Sequence, residues 1–234
     1  MQLFYVPDCE KGDIVTLDKE ESTHIVRVLR MKEMEEISLT DGKGNFFFAD
    51  IVDANPNRCS VQIKKTIEEY GKRDFYIHLA IAPTKNINRI EWLLEKATEI
   101  GIDEITPLIC EHSERKDVKN ERLDKILVSA MKQSLKAYKP ILNPMTKISQ
   151  LISNAKEENK LICYCQGDDR QYIKDVCPKK SSYLILIGPE GDFSQKEVDL
   201  ALANNFKTIS LGEQRLRTET AALYSISNIH YLNQ

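Results

Sequence analysis

The sequence predicts an α/β protein that begins with a smaller, β-rich region. Short runs of β-branched and aromatic residues, separated by turn signals, fill the chain from Leu3 to about Glu69. From Asp74 onward, strand-like runs alternate with stretches of helical periodicity, a pattern typical of a mostly parallel sheet with helices on its faces. The 234 residues suffice for two domains with cores of their own, and the change of pattern divides them into residues 1–70 and 71–234.

The first region contains five predicted strands. They lie at residues 3–6, 13–17, 35–42, 45–53 and 59–67. The turn from Asp41 to Asn45 carries two glycines where a tight hairpin needs positive φ. These short strands indicate a small barrel or a sandwich, and the basic stretch from Thr23 to Lys32 is compatible with a short helix or a strand.

The second region alternates strands with helices. Strands are predicted at residues 75–83, 104–109, 161–165, 183–187 and 208–211. Gly101 ends the first predicted helix, and Asn120 is the expected N-cap of the next. The spacing of Ser194 and Glu197 is that of a capping box, and a last helix begins near Thr218.

Composition and charge exclude several classes of protein. The chain has no apolar run of membrane-spanning length and no recognisable signal peptide, so we expect it in the cytoplasm. Its six cysteines form no C-x-x-C pair, which indicates reduced thiols rather than a zinc site or a disulfide framework. A formal net charge of −3 argues against a generic nucleic-acid binder, so any RNA contact must depend on local basic groups.

Two glycine turns in the second region are candidates for a ligand site. Gly188-Pro189-Glu190-Gly191 follows one predicted strand, and the run from Leu211 to Ala221 follows another. Either turn alone reads as an ordinary strand-to-helix connection. Together they follow neighbouring strand candidates, and ligands of open α/β sheets bind beyond the carboxyl ends of strands. Neither turn matches a dinucleotide fingerprint or a phosphate loop, which disfavours an enzyme that uses a nucleotide ligand.

These runs, IGPEGDFS at 187–194 and LGEQRLRTETAAL at 211–223, resemble the signature of the RsmE-type ribosomal RNA uridine-N3 methyltransferases of the SPOUT class. The resemblance implies that residues 71–234 form a SPOUT domain that binds S-adenosylmethionine in a trefoil knot. It also implies that residues 1–70 form a PUA-like β-barrel that helps to hold RNA. The substrate would be 16S ribosomal RNA of the small ribosomal subunit, and the enzyme would be a homodimer without a metal.

The resemblance also implies roles for individual residues. Three turns would bind the methyl donor through Thr84, Ile187, Gly188, Pro189, Glu190, Gly191, Leu211, Gly212, Leu216, Arg217, Thr220 and Ala221. The family pattern H-x-x-x-V-L-R matches from His24 to Arg30, and the stretch from Lys85 to Trp92 resembles K-x-x-R-x-E-W with one more residue between Lys85 and Arg89. The basic side chains expected at RNA are His24, Arg27, Arg30, Lys85, Arg89 and Arg115. Those of the first region otherwise read as a solvated basic face with a satisfied histidine, and Lys85 and Arg89 as an ordinary charged first turn. Trp92 itself is expected in the core rather than as a platform on which a base stacks.

The implied reaction assigns candidate catalytic roles to Arg217 and Glu219. Uridine N3 must lose a proton to become a nucleophile, which calls for a base and for a cation beside the uracil carbonyls. The planar guanidinium of Arg217 suits the second task. Glu219 is the nearest carboxylate of the motif, although a glutamate in the first turn of a helix also stabilises the helix dipole. The alternatives are a non-catalytic RNA-binding module and a SPOUT methyltransferase with another target nucleotide.

Overall fold

The computed structural model of the protein describes residues 2–9, 12, 14–165 and 171–234. The chain forms two compact units. The first unit combines Met1–Lys72 with Val128–Lys139, and the second combines Arg73–Leu127 with Pro140–Gln234. The return of the chain to the first unit at Val128 has no counterpart in the sequence patterns.

The first unit contains one five-stranded sheet. Its elements are β1 (Leu3–Tyr5), β2 (Ile14–Thr16), α1 (Lys19–Thr23), a π-helical turn at His24–Val28, β3 (Glu36–Thr40), β4 (Phe46–Asp53) and β5 (Ser60–Ile67). The strand order is β1-β3-β4-β5-β2, parallel between β1 and β3 and antiparallel elsewhere. All five predicted strands are confirmed to within three residues at either end, and the helical alternative for the basic stretch is correct at its start.

Alternation along β4 builds the core of the first unit. Phe47, Ala49 and Ile51 point to one face of the sheet and are buried there, as a period of two requires. The hairpin turn before β4 is confirmed, because the Asp41 carboxylate accepts hydrogen bonds from the backbone N–H groups of Lys43 (2.7 Å) and Asn45 (3.1 Å).

The second unit is a parallel sheet with helices on both faces. Its elements are β6 (Tyr76–Ile81), α2 (Ile87–Ile100), β7 (Glu104–Ile109), α3 (Asn120–Gln133, which ends within the segment grouped with the first unit), β8 (Ile141–Leu142), β9 (Thr146–Lys147), α4 (Ile148–Asn154), β10 (Asn159–Cys163), α5 (Ile173–Val176), β11 (Ser182–Ile187), α6 (Gln195–Ala203), β12 (Lys207–Ile209) and α7 (Thr218–Leu232). The order is β12-β10-β11-β6-β7-β8, with β9 also on β7, and every pairing is parallel.

The predicted strands and long helices of the second unit are confirmed, except that α3 begins at Asn120 instead of being capped by it. The sequence patterns did not reveal β8, β9, α4 or α5, which are too short for periodicity to show.

The sheet order corrects one expectation. The two glycine turns follow β11 and β12, and these strands are not neighbours. β10 lies between them and pairs with both: Leu161 is opposite Ile185 of β11 and Lys207 of β12. A third strand therefore ends between the two turns.

The central strand β11 is apolar on both faces because helices cover both. Ile185 packs in one cluster with residues of α2 and α7, among them Ile226 and Ile229. Leu184 and Leu186 pack in another cluster, with residues of α4 and α6. Ile226 and Ile229 are thus fully buried in the core of one chain.

Candidate functional site

A cavity of about 920 Å³ opens at the carboxyl ends of β10, β11 and β12. Its size suits a small-molecule ligand, and its place is where open α/β sheets bind ligands. The lining residues come from the three strand ends, from the starts of α2 and α7, and from the loops between them: Arg89, Cys163–Cys165, Ile187–Asp192, Ile209, Leu211–Thr218 and Ala221.

Hydrogen bonds at the start of α6 fix the end of the turn that follows β11. The Glu197 carboxylate accepts hydrogen bonds from the backbone N–H (2.9 Å) and hydroxyl (3.2 Å) of Ser194, as the capping-box spacing predicts. A Cβ at Gly188 would lie 3.2 Å from the ring of Phe193, and one at Gly191 would lie 3.2 Å from Cβ of His112. These two glycines therefore make room for neighbouring side chains of the protein.

Gly212, in the loop after β12, differs from these two glycines because no described side chain lies close to the place that its Cβ would take. Its φ of +105° lies in the region that favours glycine, and a Cβ there would have no atom within 4 Å. Its backbone N–H bonds to the hydroxyl of Ser210 (3.2 Å). Gly212 thus lines the cavity without a neighbouring atom in the space of a side chain, which makes it the glycine best placed to contact a ligand.

The end of β10 contributes Cys163, Tyr164 and Cys165 to the cavity lining. The sequence predicted this strand but did not predict that its residues belong to the site. The Asp192 carboxylate accepts the backbone N–H of Cys165 at 3.0 Å and so links this strand end to the turn after β11. Burial raises the pKa of the Cys163 thiol to about 12, whereas Cys165 is exposed. The sequence did show a strand-like run at 161–165, but this run precedes both glycine turns in the chain, so its place between their strands in the sheet could not be predicted.

The charges around the cavity are balanced. Three basic side chains (Arg89, Arg215 and Arg217) and three acidic ones (Glu190, Asp192 and Glu213) line it. Apolar residues of the strand ends and loops, such as Ile187, Ile209 and Leu216, form the rest of its wall. A ligand with both charged and apolar parts fits such a lining better than a simple anion does.

Ten of the twelve residues expected to bind a methyl donor line this cavity; the exceptions are Thr84 and Thr220. Thr84 is fully buried, and its hydroxyl donates to the carbonyl oxygen of Asn86 at 2.8 Å. Thr220 lies exposed on α7. The turn at Thr84 still touches the site, because the backbone N–H of Lys85 donates to the Glu190 carboxylate at 3.1 Å.

Of the two residues expected to be catalytic, Arg217 lines the cavity and Glu219 is buried beside it. Arg217 is exposed and immediately precedes α7. One carboxylate oxygen of Glu219 lies 3.8 Å from Nε of Arg89. The other is buried without a hydrogen-bond partner among the described residues.

In the first unit, the basic residues expected at RNA lie in and just after the π-helical turn. The side chains of Arg27 and Arg30 are exposed, and Arg30 has a φ of +58°. His24 is half-buried, with its ring against Phe4 and its Nε2 atom 3.2 Å from the side-chain amide nitrogen of Gln2.

In the second unit, Lys85, Arg89 and Arg115 lie around the turn between β6 and α2. Lys85 is exposed and pairs with Glu114 at 3.0 Å, and Arg89 reaches the cavity. Arg115 donates to the carbonyl oxygens of Thr84 (3.2 Å) and Lys85 (2.8 Å). The expectation that Trp92 is a core residue is wrong: it is 46% exposed, because it lies beside the buried stripe of α2 and not in it.

Comparison with known proteins agrees with this architecture. Residues 72–230 match the family model of an RNA methyltransferase domain, and residues 17–64 match that of an RNA methyltransferase PUA domain. The sheet and its cavity lie within the first match. The fold and the site thus define an RNA methyltransferase with an amino-terminal PUA domain.

Individual relatives narrow the class. Ribosomal RNA small subunit methyltransferase E from Rickettsia conorii is 31% identical over 93% of this chain and 90% of its own length. Among solved structures, a probable rRNA-methyltransferase from Porphyromonas gingivalis is 44% identical, with a TM-score of 0.93 over 100% of this chain and 98% of that one. Ribosomal RNA small subunit methyltransferase E from Neisseria gonorrhoeae, bound to S-adenosyl methionine, is 28% identical, with a TM-score of 0.90 over 100% and 98% of the two chains. The chain belongs to the ribosomal RNA small subunit methyltransferase E family.

We predict that Cys165 is the first thiol of the native protein to react with iodoacetamide at pH 8. It is exposed, whereas Cys163 is protonated at all pH values well below its pKa of about 12 and a thiol must ionise to react. Mass spectrometry of peptides after a short exposure measures the order of labelling. Cys165→Ser should remove the fast-reacting thiol, and equal labelling of Cys163 would contradict the burial described above.

Proposed function

We propose that this protein transfers a methyl group from S-adenosylmethionine to N3 of a uridine in 16S ribosomal RNA of the small ribosomal subunit. The observation that carries the proposal is the cavity, because ten residues expected at the methyl donor from two separate turns line it together. The relative from Neisseria gonorrhoeae, which shares the fold over the whole chain, is bound to S-adenosyl methionine. In this proposal residues 1–70 hold RNA and residues 71–234 carry out the transfer.

The lining of the cavity fits this donor. S-adenosylmethionine has an apolar, flat adenine, a sulfonium, and an amino-acid end with both charges. The balanced acidic and basic residues and the apolar wall offer partners to each of these parts. Gly212 supplies open backbone, and the volume of about 920 Å³ suffices for a ligand of this size.

When bound, the donor supplies an activated methyl group, so the task of the protein is to position the reactants and to stabilise charge. Deprotonation of uridine N3 places negative charge on the uracil carbonyls. The exposed guanidinium of Arg217 at the cavity wall can donate hydrogen bonds to two acceptor oxygens at once and so stabilise that charge.

For Glu219 two roles were open, and its surroundings favour the supporting one. A proton acceptor must reach its proton within hydrogen-bond distance, and this carboxylate is 7% exposed and absent from the cavity lining. Its nearest cationic partner is Arg89, which does line the cavity. We propose that Glu219 holds Arg89 and the start of α7 in place, and that the N3 proton is released to water at the open cavity.

RNA contact is assigned to His24, Arg27 and Arg30 in the first unit and to Lys85 and Arg89 in the second. Arg27, Arg30 and Lys85 are exposed. Lys85 would exchange its pairing with the exposed Glu114 for a phosphate. A chain of net charge −3 has little nonspecific affinity for RNA, because phosphate neutralisation drives such binding. A folded ribosomal surface that meets local basic groups in both units provides the affinity that overall charge does not.

The trefoil knot belongs to the proposal as well. β10 precedes β11 and β12 in the chain but lies between them in the sheet. The connection from β11 to β12 therefore crosses β10, as in many doubly wound sheets. The proposal of a knot rests on the resemblance to the SPOUT class, and this strand order is compatible with it. Among the described residues no helix has the length and apolarity to cross a membrane. We propose the cytoplasm, where small-subunit RNA is found, as the location.

We predict that Gly212→Val abolishes binding of S-adenosylmethionine. A branched side chain would strain a φ of +105° and would occupy the open space beside the cavity. Gly71→Val is the matched control, because Gly71 also has positive φ (+71°) and nothing within 4 Å of its Cβ, but it does not line the cavity. Calorimetric titration should show wild-type affinity for the control only. Unchanged affinity of a folded Gly212→Val protein would contradict the placement of the donor.

We predict that the wild-type protein forms N3-methyluridine in small-subunit RNA and that Arg217→Ala lowers the rate by about 10²- to 10³-fold, the usual effect of removing a charge-stabilising donor. Arg217→Lys should recover little of the rate, because an ammonium does not bond two oxygens in a plane. The measurement is mass spectrometry of nucleosides after reaction with small subunits from a strain without the gene. Methylation of a ribose or a carbon instead would show another target, and donor binding without any methylation would favour an RNA-binding module.

We propose a homodimer, formed by the second units of two chains. Because Ile226 and Ile229 lie in the core, any contact through α7 must use its exposed residues, among them Tyr224 (48% exposed) and Tyr231 (78%). Sedimentation should give a dimer at micromolar concentration, and Tyr224→Glu should shift it toward monomer, because a charge would be buried. A wild-type monomer with full activity would contradict this proposal.

A further inference from the structure

The loop that follows β7 makes several contacts with the turns around the cavity. We call the six residues Cys110–Arg115 the brace loop. Within the described part of the chain, none of the six lines the cavity. The loop is itself compact, because the Ser113 hydroxyl accepts the backbone N–H of Cys110 at 2.9 Å and the Ser113 N–H returns to the Cys110 carbonyl at 3.1 Å.

His112 binds the turn after β11. Its Nδ1 atom lies 3.1 Å from the carbonyl oxygen of Gly191 and 3.0 Å from that of Asp192. A carbonyl oxygen only accepts, so Nδ1 must carry the proton and share it between the two oxygens. The absence of a side chain at Gly191 brings this turn close, since a Cβ there would lie 3.2 Å from Cβ of His112.

Arg115 binds the turn after β6, and this turn also forms a hydrogen bond to the cavity wall. Its Nε and Nη2 atoms donate to the carbonyl oxygens of Thr84 (3.2 Å) and Lys85 (2.8 Å). On its other side, the N–H of Lys85 donates to Glu190, which lines the cavity. A third contact joins the loop to α6, where Glu197 accepts the backbone N–H of Glu111 at 2.8 Å.

We propose that His112 and Arg115 are positioning residues for the methyl donor. Their hydrogen bonds to the turns at 188–192 and 84–85 hold the cavity wall in the conformation that binds the donor. The inference rests on the proposed function, because it takes the cavity to be the donor site. It also favours a positioning role for Arg115 over the RNA contact expected from the sequence, since two of its donor atoms are engaged with backbone.

The physical reason is preorganisation. His112 is exposed, and the Arg115–Lys85 contact lies at the surface, so water can replace these hydrogen bonds at little expense to stability when a side chain is removed. The freed turns would then sample more conformations, and donor binding would have to order them again. Removal of either side chain should weaken donor binding while leaving the fold and the chemical step almost unchanged.

The test is calorimetric titration of S-adenosylmethionine into the wild-type protein and four variants. His112→Ala and Arg115→Ala should each raise Kd about three- to tenfold, the effect of losing one or two modest hydrogen bonds. His112→Asn should stay within about twofold of wild type, because an asparagine amide carries N–H donors close to the position of Nδ1. Steady-state kinetics should show a higher KM for the donor with little change in kcat.

Arg122→Ala is the control for loss of an arginine as such. Arg122 lies on α3, where its guanidinium pairs with the Glu91 carboxylate through an ion-pair contact of 2.6 Å and a hydrogen bond of 2.8 Å, and among the described residues it forms no bond to either turn. The control should bind the donor as the wild type does. Wild-type affinity in folded His112→Ala and Arg115→Ala, an equal loss in Arg122→Ala, or failure of His112→Asn to restore binding would overturn the proposal. Absence of donor binding by the wild type would instead overturn the proposed function.

Discussion

Parallel hydrogen bonding on both sides of β10 brings the parts of the site together. This strand pairs with β11 from Asn159 to Cys163 and with β12 from Leu161 to Cys163, so all three strands point the same way and end at one edge of the sheet. The loops that follow β11 and β12 therefore begin on opposite sides of Cys163, each one strand spacing away from it. A ligand at this edge meets three backbone segments at once.

The buried sheet supports this edge, and contacts around it shape its wall. β11 is apolar on both faces, so helices on either side hold it in place, and the turn after it is further fixed by Glu197 and by His112. The loop after β12 has an open glycine at Gly212 and the arginines at 215 and 217. The wall therefore combines a firmly bonded turn with a loop that presents backbone and positive charge.

Much of the fold could be predicted from the sequence, because its signals are local. Runs of β-branched residues marked ten strands, and apolar periodicity marked the helices that cover them. Pairing between distant strands is not local: no residue of β10 indicates that it lies between two strands that come later in the chain. The same limit applies to Trp92, whose size suggested the core, but whose position on α2 is set by which face meets the sheet.

The candidate site was predictable where a motif carried it. Residues from the two glycine turns line the cavity as expected, but Cys163–Cys165 were missed because their role follows from sheet order. The contacts of His112 and Arg115 were also hidden, since a basic loop residue gives no sign of whether it meets a substrate or a carbonyl oxygen. Motifs thus pointed to residues that line the cavity, and the structure was needed to find the residues that bond to the cavity wall.

The central claim is that the ends of β10, β11 and β12 form a single site for the methyl donor. Hydrogen–deuterium exchange of the wild-type protein, with and without S-adenosylmethionine, tests it most directly, because it reports on backbone from each segment separately. The account predicts slower exchange at 163–165, 187–192 and 211–217 when the donor is present, with no change in β4 and β5 of the first unit. Protection confined to one of the three segments, or centred elsewhere, would contradict it.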